Sequence, residues 1–120
     1  MIVKYMLLIY DDEQAWEKLA ETERQRIVGE YMQFTQKIKS TGKYVTGAQL
    51  RQTLAATSVR IRDGRRVVTD GPFAETCEQL GGYYVIDARD LDEALDVAAE
   101  VPSARVGTVE IRPIVDSFVS

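Results

Sequence analysis

The chain has 120 residues, enough for one domain over residues 1–120 that buries about two-thirds of its unfolded surface without staples. A net charge of −4 with 45% hydrophobic content argues against nonspecific binding to nucleic acid or to an anionic membrane. One cysteine cannot form an internal disulfide, and no apolar run is long enough to cross a bilayer, so a cytoplasmic protein is expected.

Residues 2–10 form an apolar run in which Val3, Tyr5, Leu7 and Ile9 point one way and Ile2, Met6 and Leu8 the other. A strand apolar on both sides belongs in the middle of a covered sheet. Ala15, Trp16 and Leu19 suggest a short turn of helix after it. A long helix is then announced by Thr22 and Gln25 at capping-box spacing. Its apolar stripe is Ile27, Tyr31, Phe34 and Ile38, widened by Val28 and Met32, with Gly42 as the C-terminal stop. Gly29 within that helix points to a close backbone approach.

Residues 44–50 read as a short strand, and 56–62 with 65–70 as a hairpin around Asp63-Gly64. In that register Arg62 faces Arg65, Ile61 faces Arg66, Arg60 faces Val67 and Val59 faces Val68. Strand 82–87 is again apolar on both faces. A second helix starts at Asp90, with Glu93 at the capping position, and carries Leu91, Ala94, Leu95, Ala98 and Ala99 until Pro102 closes it. A last strand spans about 107–115.

This order is an α+β, ferredoxin-like split βαβ plan with an antiparallel sheet and an extra hairpin. Two helices cover one sheet face and leave the other open. Whichever parity holds, apolar side chains from the first strand and from 82–87 point to that open face. So large an apolar patch predicts a homodimer with sheets packed face to face.

The densest chemistry lies in Asp70-Gly71-Pro72-Phe73-Ala74-Glu75-Thr76-Cys77-Glu78, which runs into Gln79-Leu80-Gly81-Gly82-Tyr83-Tyr84. Asp-Gly-Pro continues neither helix nor central strand, so it makes a rigid acidic turn. Asp70 and Glu75 are the candidate catalytic carboxylates, as general base or acceptor in a cleft. Asp70, Phe73, Arg60, Tyr83 and Arg112 are the candidate ligand contacts. A structural reading stands beside this, with Asp70 accepting backbone N–H bonds as a turn cap and Glu75 and Glu78 in solvent. Arg60 lies deeper along its strand, nearer Asp70, where pairing with an acid or a ligand is expected, whereas Arg62, Arg65 and Arg66 read as a solvated tip. With no histidine and one cysteine, no metal site and no Ser/His or Cys/His nucleophile pair is expected, and no cofactor.

The Asp-Gly-Pro-Phe run, with the opening strand and the closing Val109-Glu110-Ile111-Arg112-Pro113, resembles the YCII-related family, specifically the subgroup carrying that signature. The resemblance covers nearly the whole chain and implies the dimeric α/β barrel arrangement. Some YCII-related enzymes use a histidine–aspartate pair, which this chain cannot supply. Cys77 also departs from the resemblance, which has lysine or another polar residue there. Three readings stay open: a noncatalytic dimeric module binding a small molecule or a regulatory partner, a cofactor-independent enzyme acting on a small organic acid or lactone, and a structural interaction domain. The resemblance also implies an accessory role beside extracytoplasmic-function sigma factors.

Overall fold

A computed structural model describes residues 1–115. Strand β1 (Val3–Asp11) leads through the short helix α1 (Glu13–Glu17) into the long helix α2 (Glu21–Ser40). Strands β2 (Tyr44–Gln49), β3 (Thr57–Arg62), β4 (Arg65–Asp70) and β5 (Gln79–Ala88) follow, then helix α3 (Leu91–Ala99) and strand β6 (Thr108–Pro113). Four strands form one sheet in the order β2-β5-β1-β6, with every neighbouring pair antiparallel. This is the ferredoxin-like α+β plan. The two strands that read as apolar on both faces, β1 and β5, are the central ones. The sheet is open, not closed into a barrel within one chain.

Tertiary structure resolves the parity that the strand pattern left undecided. Tyr5, Leu7 and Ile9 are buried beneath the helices, with Phe34 and Ile38 of α2 and Ala94, Val97 and Ala98 of α3 packed on them. Tyr84 joins this layer edge-to-face with Phe34 at 5.2 Å, and its hydroxyl bonds Thr35 Oγ1 at 2.6 Å. Met6, Leu8 and Tyr10 alternate to the other side, beside Tyr83 and Val85 of β5.

Several local expectations are corrected. The Thr22–Gln25 capping box does not form, because α2 starts at Glu21 after Ala20, which gives no side-chain cap. Arg24 fixes the helix entry instead: it donates to the Trp16 and Glu17 carbonyls at 3.2 and 2.7 Å and lies over the Trp16 ring. A Cβ at Gly29 would touch nothing within 4 Å, so no backbone approaches there. Val28 and Met32 are exposed, as are Leu91 and Leu95. The buried stripe of α3 is Ala94, Val97 and Ala98, continued by Val101, since only small side chains let the helix settle on the sheet.

Other expectations hold. Asp90 caps α3 through the Glu93 N–H at 2.9 Å. Gly42, at φ 76°, ends α2 in a Schellman turn, with Lys43 N–H reaching Ile38 O at 2.9 Å and Gly42 N–H reaching Lys39 O at 3.1 Å. Strands β3 and β4 pair in the expected register around Asp63 (φ 53°) and Gly64 (φ 73°), which are the angles of a type I′ turn. They form a separate two-stranded sheet, an arm standing off the main body.

Candidate functional site

The acidic signature begins at the foot of the arm and ends at the edge of the body. Asp70 closes β4 opposite Thr57, and the turn beyond it is held by backbone. Gly71 N–H donates to Ala56 O at 2.7 Å, and Ser58 Oγ donates to Gly71 O at 2.8 Å. The Asp70 carboxylate therefore does not cap its own turn, and among the described residues nothing engages it. Phe73 is 79% exposed, and Glu75 and the free thiol of Cys77 face solvent. The far end of the loop is held by side-chain hydrogen bonds. Thr76 Oγ1 donates to Glu78 O at 2.5 Å, and Gln79 Nε2 donates to Thr76 O at 2.6 Å. Gln79 Oε1 accepts the Glu13 N–H at 2.9 Å, which docks the loop on the start of α1.

The residues singled out from sequence fall into two groups. Asp70, Glu75 and Phe73 share the loop. Arg60, opposite Val67, points from the hairpin face that Asp70 does not occupy. Tyr83 and Arg112 lie on the open face of the body, one on each side of β1: Tyr83 pairs with Leu8, and Arg112 with Met6.

That open face carries the most connected chemistry. Its centre is Met6, Leu8, Tyr10, Tyr83 and Val85. At one side, Glu110 sits opposite Leu8, diagonal to Tyr10, with Arg112 Nη1 3.8 Å from its carboxylate. Burial and the nearby Glu110 carboxylate push the Tyr10 pKa up, while Arg112 pulls against them. A mostly exposed guanidinium, a carboxylate and a phenol thus stand beside an apolar wall. At the far rim Lys4 and Asp87 pair at 3.0 Å.

A further acid, Asp11, escaped the sequence reading. The register of β1 on β5 shifts between Ile9, which pairs with Gly82, and Tyr10, which pairs with Leu80. Gly81 is left over as a bulge, the kind of irregularity that re-aims the residues beside it. Asp11 turns under the helices, where its Oδ2 accepts from Ser103 Oγ at 2.6 Å, and Ser103 in turn bonds the Tyr31 hydroxyl. Burial raises the Asp11 pKa against the lowering effect of Ser103, and the nearby Glu78 carboxylate raises it further. Burial likewise pushes the Tyr31 phenol up to about 12. A Cβ at Gly107 would collide with the Tyr10 carbonyl and lie 2.7 Å from Asp11 Oδ1, so only glycine leaves room for this latch. The available signal was an aspartate ending an otherwise apolar central strand.

Elsewhere, the groove between α2 and the end of α3 is bordered by Lys37–Glu100 and Arg105–Glu30 pairs, both at 2.5 Å. Among the described residues no three His, Cys, Asp or Glu side chains cluster as metal ligands, and no helix is long and apolar enough to cross a membrane.

Comparison with known proteins places this architecture. An uncharacterised protein of Rhizobium meliloti (strain 1021), R00369, is 39% identical over 112 residues, covering 92% of this chain and 90% of that protein. The family model described as the YCII-related domain matches residues 3–117, and the chain therefore belongs to the YCII-related family.

Proposed function

We propose that this chain is a dimeric binding module that holds a small organic anion against the open face of its sheet, beneath the sheet of a second copy. The observation that carries this reading is the Tyr10–Glu110–Arg112 set at the border of an apolar wall. Arg112 would anchor a carboxylate through its planar fork, and Tyr83 would lie along the apolar part of the ligand. Glu110, held near the guanidinium, would leave it when the ligand's carboxylate arrives. Burial beneath a second sheet would strengthen each of these contacts by excluding water. Arg112→Gln and Tyr83→Ala test the site, with titration calorimetry against a panel of small aliphatic and aromatic carboxylates as the readout. At least a tenfold loss of affinity with an unchanged melting temperature is expected for Arg112→Gln. Wild-type affinity in both variants would overturn the placement.

A catalytic variant of the reading uses Asp70, with Glu75, as acid or base on such a ligand. Its support is that the Asp70 carboxylate is exposed and, among the described residues, unengaged. Turnover of a bound lactone or acid that survives Asp70→Asn would remove it.

A further inference from the structure

Two surfaces of this chain carry like charges that nothing within the chain offsets, and they are opposite in sign. The first is one face of the arm. Alternation along the hairpin sets Arg60 and Arg62 of β3 beside Val67 and Arg65 of β4, while Arg66 points to the other face. Arg62 stands directly opposite Arg65, and like charges so opposed are unfavourable. None of these three arginines forms an ion pair among the described residues. Val67, on the same face, is 44% exposed.

The second surface is the outer side of α3. Outside the arm and the signature loop, every described carboxylate except Asp92 and Asp96 has a hydrogen-bond or ion-pair partner. These two are exposed and four residues apart, a spacing at which like charges destabilise a helix. Asp96 also lies towards the C-terminal end, where the helix dipole disfavours an acid and the last turn holds no basic side chain. Leu91 and Leu95, 51% and 49% exposed, run alongside the two acids.

We propose that these surfaces are partners, the arginine face of each arm docking on the outer side of α3 in a second copy. Their spacings agree: Asp92 and Asp96 stand about 6 Å apart on a helix, and Arg60 and Arg62 about 6.7 Å apart along a strand. The nine residues of α3 run about 14 Å. A six-residue strand reaches about 20 Å, so one arm spans the helix. Val67 then meets the leucine stripe, and the water it excludes strengthens the ion pairs beside it. A two-fold axis makes the exchange reciprocal, so the contact closes at two chains. Because α3 covers the side of the sheet away from the open face, this contact is independent of the dimer proposed above and can form alongside it.

Two charge-reversed chains test the docking: Asp92→Lys/Asp96→Lys on the helix, and Arg60→Glu/Arg62→Glu/Arg65→Glu on the arm. All five side chains are exposed, so both variants keep the body folded, which circular dichroism checks. Sedimentation velocity across a concentration series reads the association of each variant and of their equimolar mixture. Each variant alone should associate about tenfold more weakly than the wild type, or worse, since its arm and helix then carry the same sign. The mixture should restore association, because every arm in the mixed pair again meets a helix of opposite charge. Either variant associating like the wild type, or a mixture that fails to recover, overturns the docking. An assembly of equal size and strength in the wild type and both variants is the open-face dimer, which then stands without the arm contact. A monomeric wild type overturns both.

Discussion

The body and the arm are built from equally β-prone sequence, yet only one of them has an interior. In the body, Leu7 and Ile86 are fully buried between sheet and helices, and Ala88 and Ala94 close the gaps around them. In the arm, every residue of β4 is exposed, and Ser58 alone in β3 is partly shielded. The turn chemistry of the arm is nonetheless the better formed, with both central residues of its tight turn at positive φ. Good local geometry fixes register. It does not supply the burial that offsets chain entropy. What the arm teaches is that a well-specified turn fixes the pairing of two strands without giving them an interior of their own.

Substitutions sharpen this contrast. The largest effect is expected for Ile86→Ala in the body, about 3–4 kcal/mol by denaturant unfolding, since a fully buried side chain would leave a cavity between sheet and helix. Val59→Ala in the arm should change the stability of one isolated chain by less than about 0.5 kcal/mol. A comparable loss at both sites would mean that arm and body fold as one unit within the chain.

Glycine substitutions repeat the comparison at intermediate size. Gly107→Ala drives a methyl group into the Tyr10 carbonyl and Asp11, and should lower global stability by about 2–4 kcal/mol. Gly64→Ala meets no atom within 4 Å and is strained only by φ 73°, so about 1 kcal/mol is expected. That loss should appear as faster hydrogen exchange in β3 and β4, with the melting temperature of the body unchanged.

A small effect that depends on pH concerns Asp11. Its raised pKa means that the folded chain prefers the protonated acid. Below the ordinary carboxyl range near 4, both states are protonated and the burial penalty vanishes. The penalty grows as pH rises from there through the folded pKa and is complete above it. Asp11→Asn should therefore stabilise the protein at pH 7, by less than about 1 kcal/mol because the site is only half-buried, and the gain should disappear near pH 4. A gain that is the same at both pH values would show that Asp11 carries no burial penalty in the fold.

Much of the fold was legible in residue order. Apolar alternation on two faces marked β1 and β5 as central, Asp63-Gly64 set the register of β3 on β4, and Asp90 and Gly42 marked helix ends, because each signal acts over a few neighbouring residues. The start of α2 was misread because a local capping pattern lost to Arg24, whose partners Trp16 and Glu17 belong to a different helix. Candidate chemistry was legible in part. The acidic signature was plain, but the position of Arg60 relative to Asp70 depended on which hairpin face each side chain takes. The Asp11–Ser103–Tyr31 latch was invisible, since its members stand 72 and 92 residues apart in pairs and meet only through packing.

The sequence by itself determined the element order, the α+β class and the family, because periodicity, turn residues and the signature are short-range and survive without a third dimension. Tertiary structure alone decided which side of β1 lies beneath the helices, where Asp11 is held, and that the hairpin stands apart from the core. Those outcomes depend on which distant side chains exclude water together, and no stretch of sequence contains both partners of such a contact.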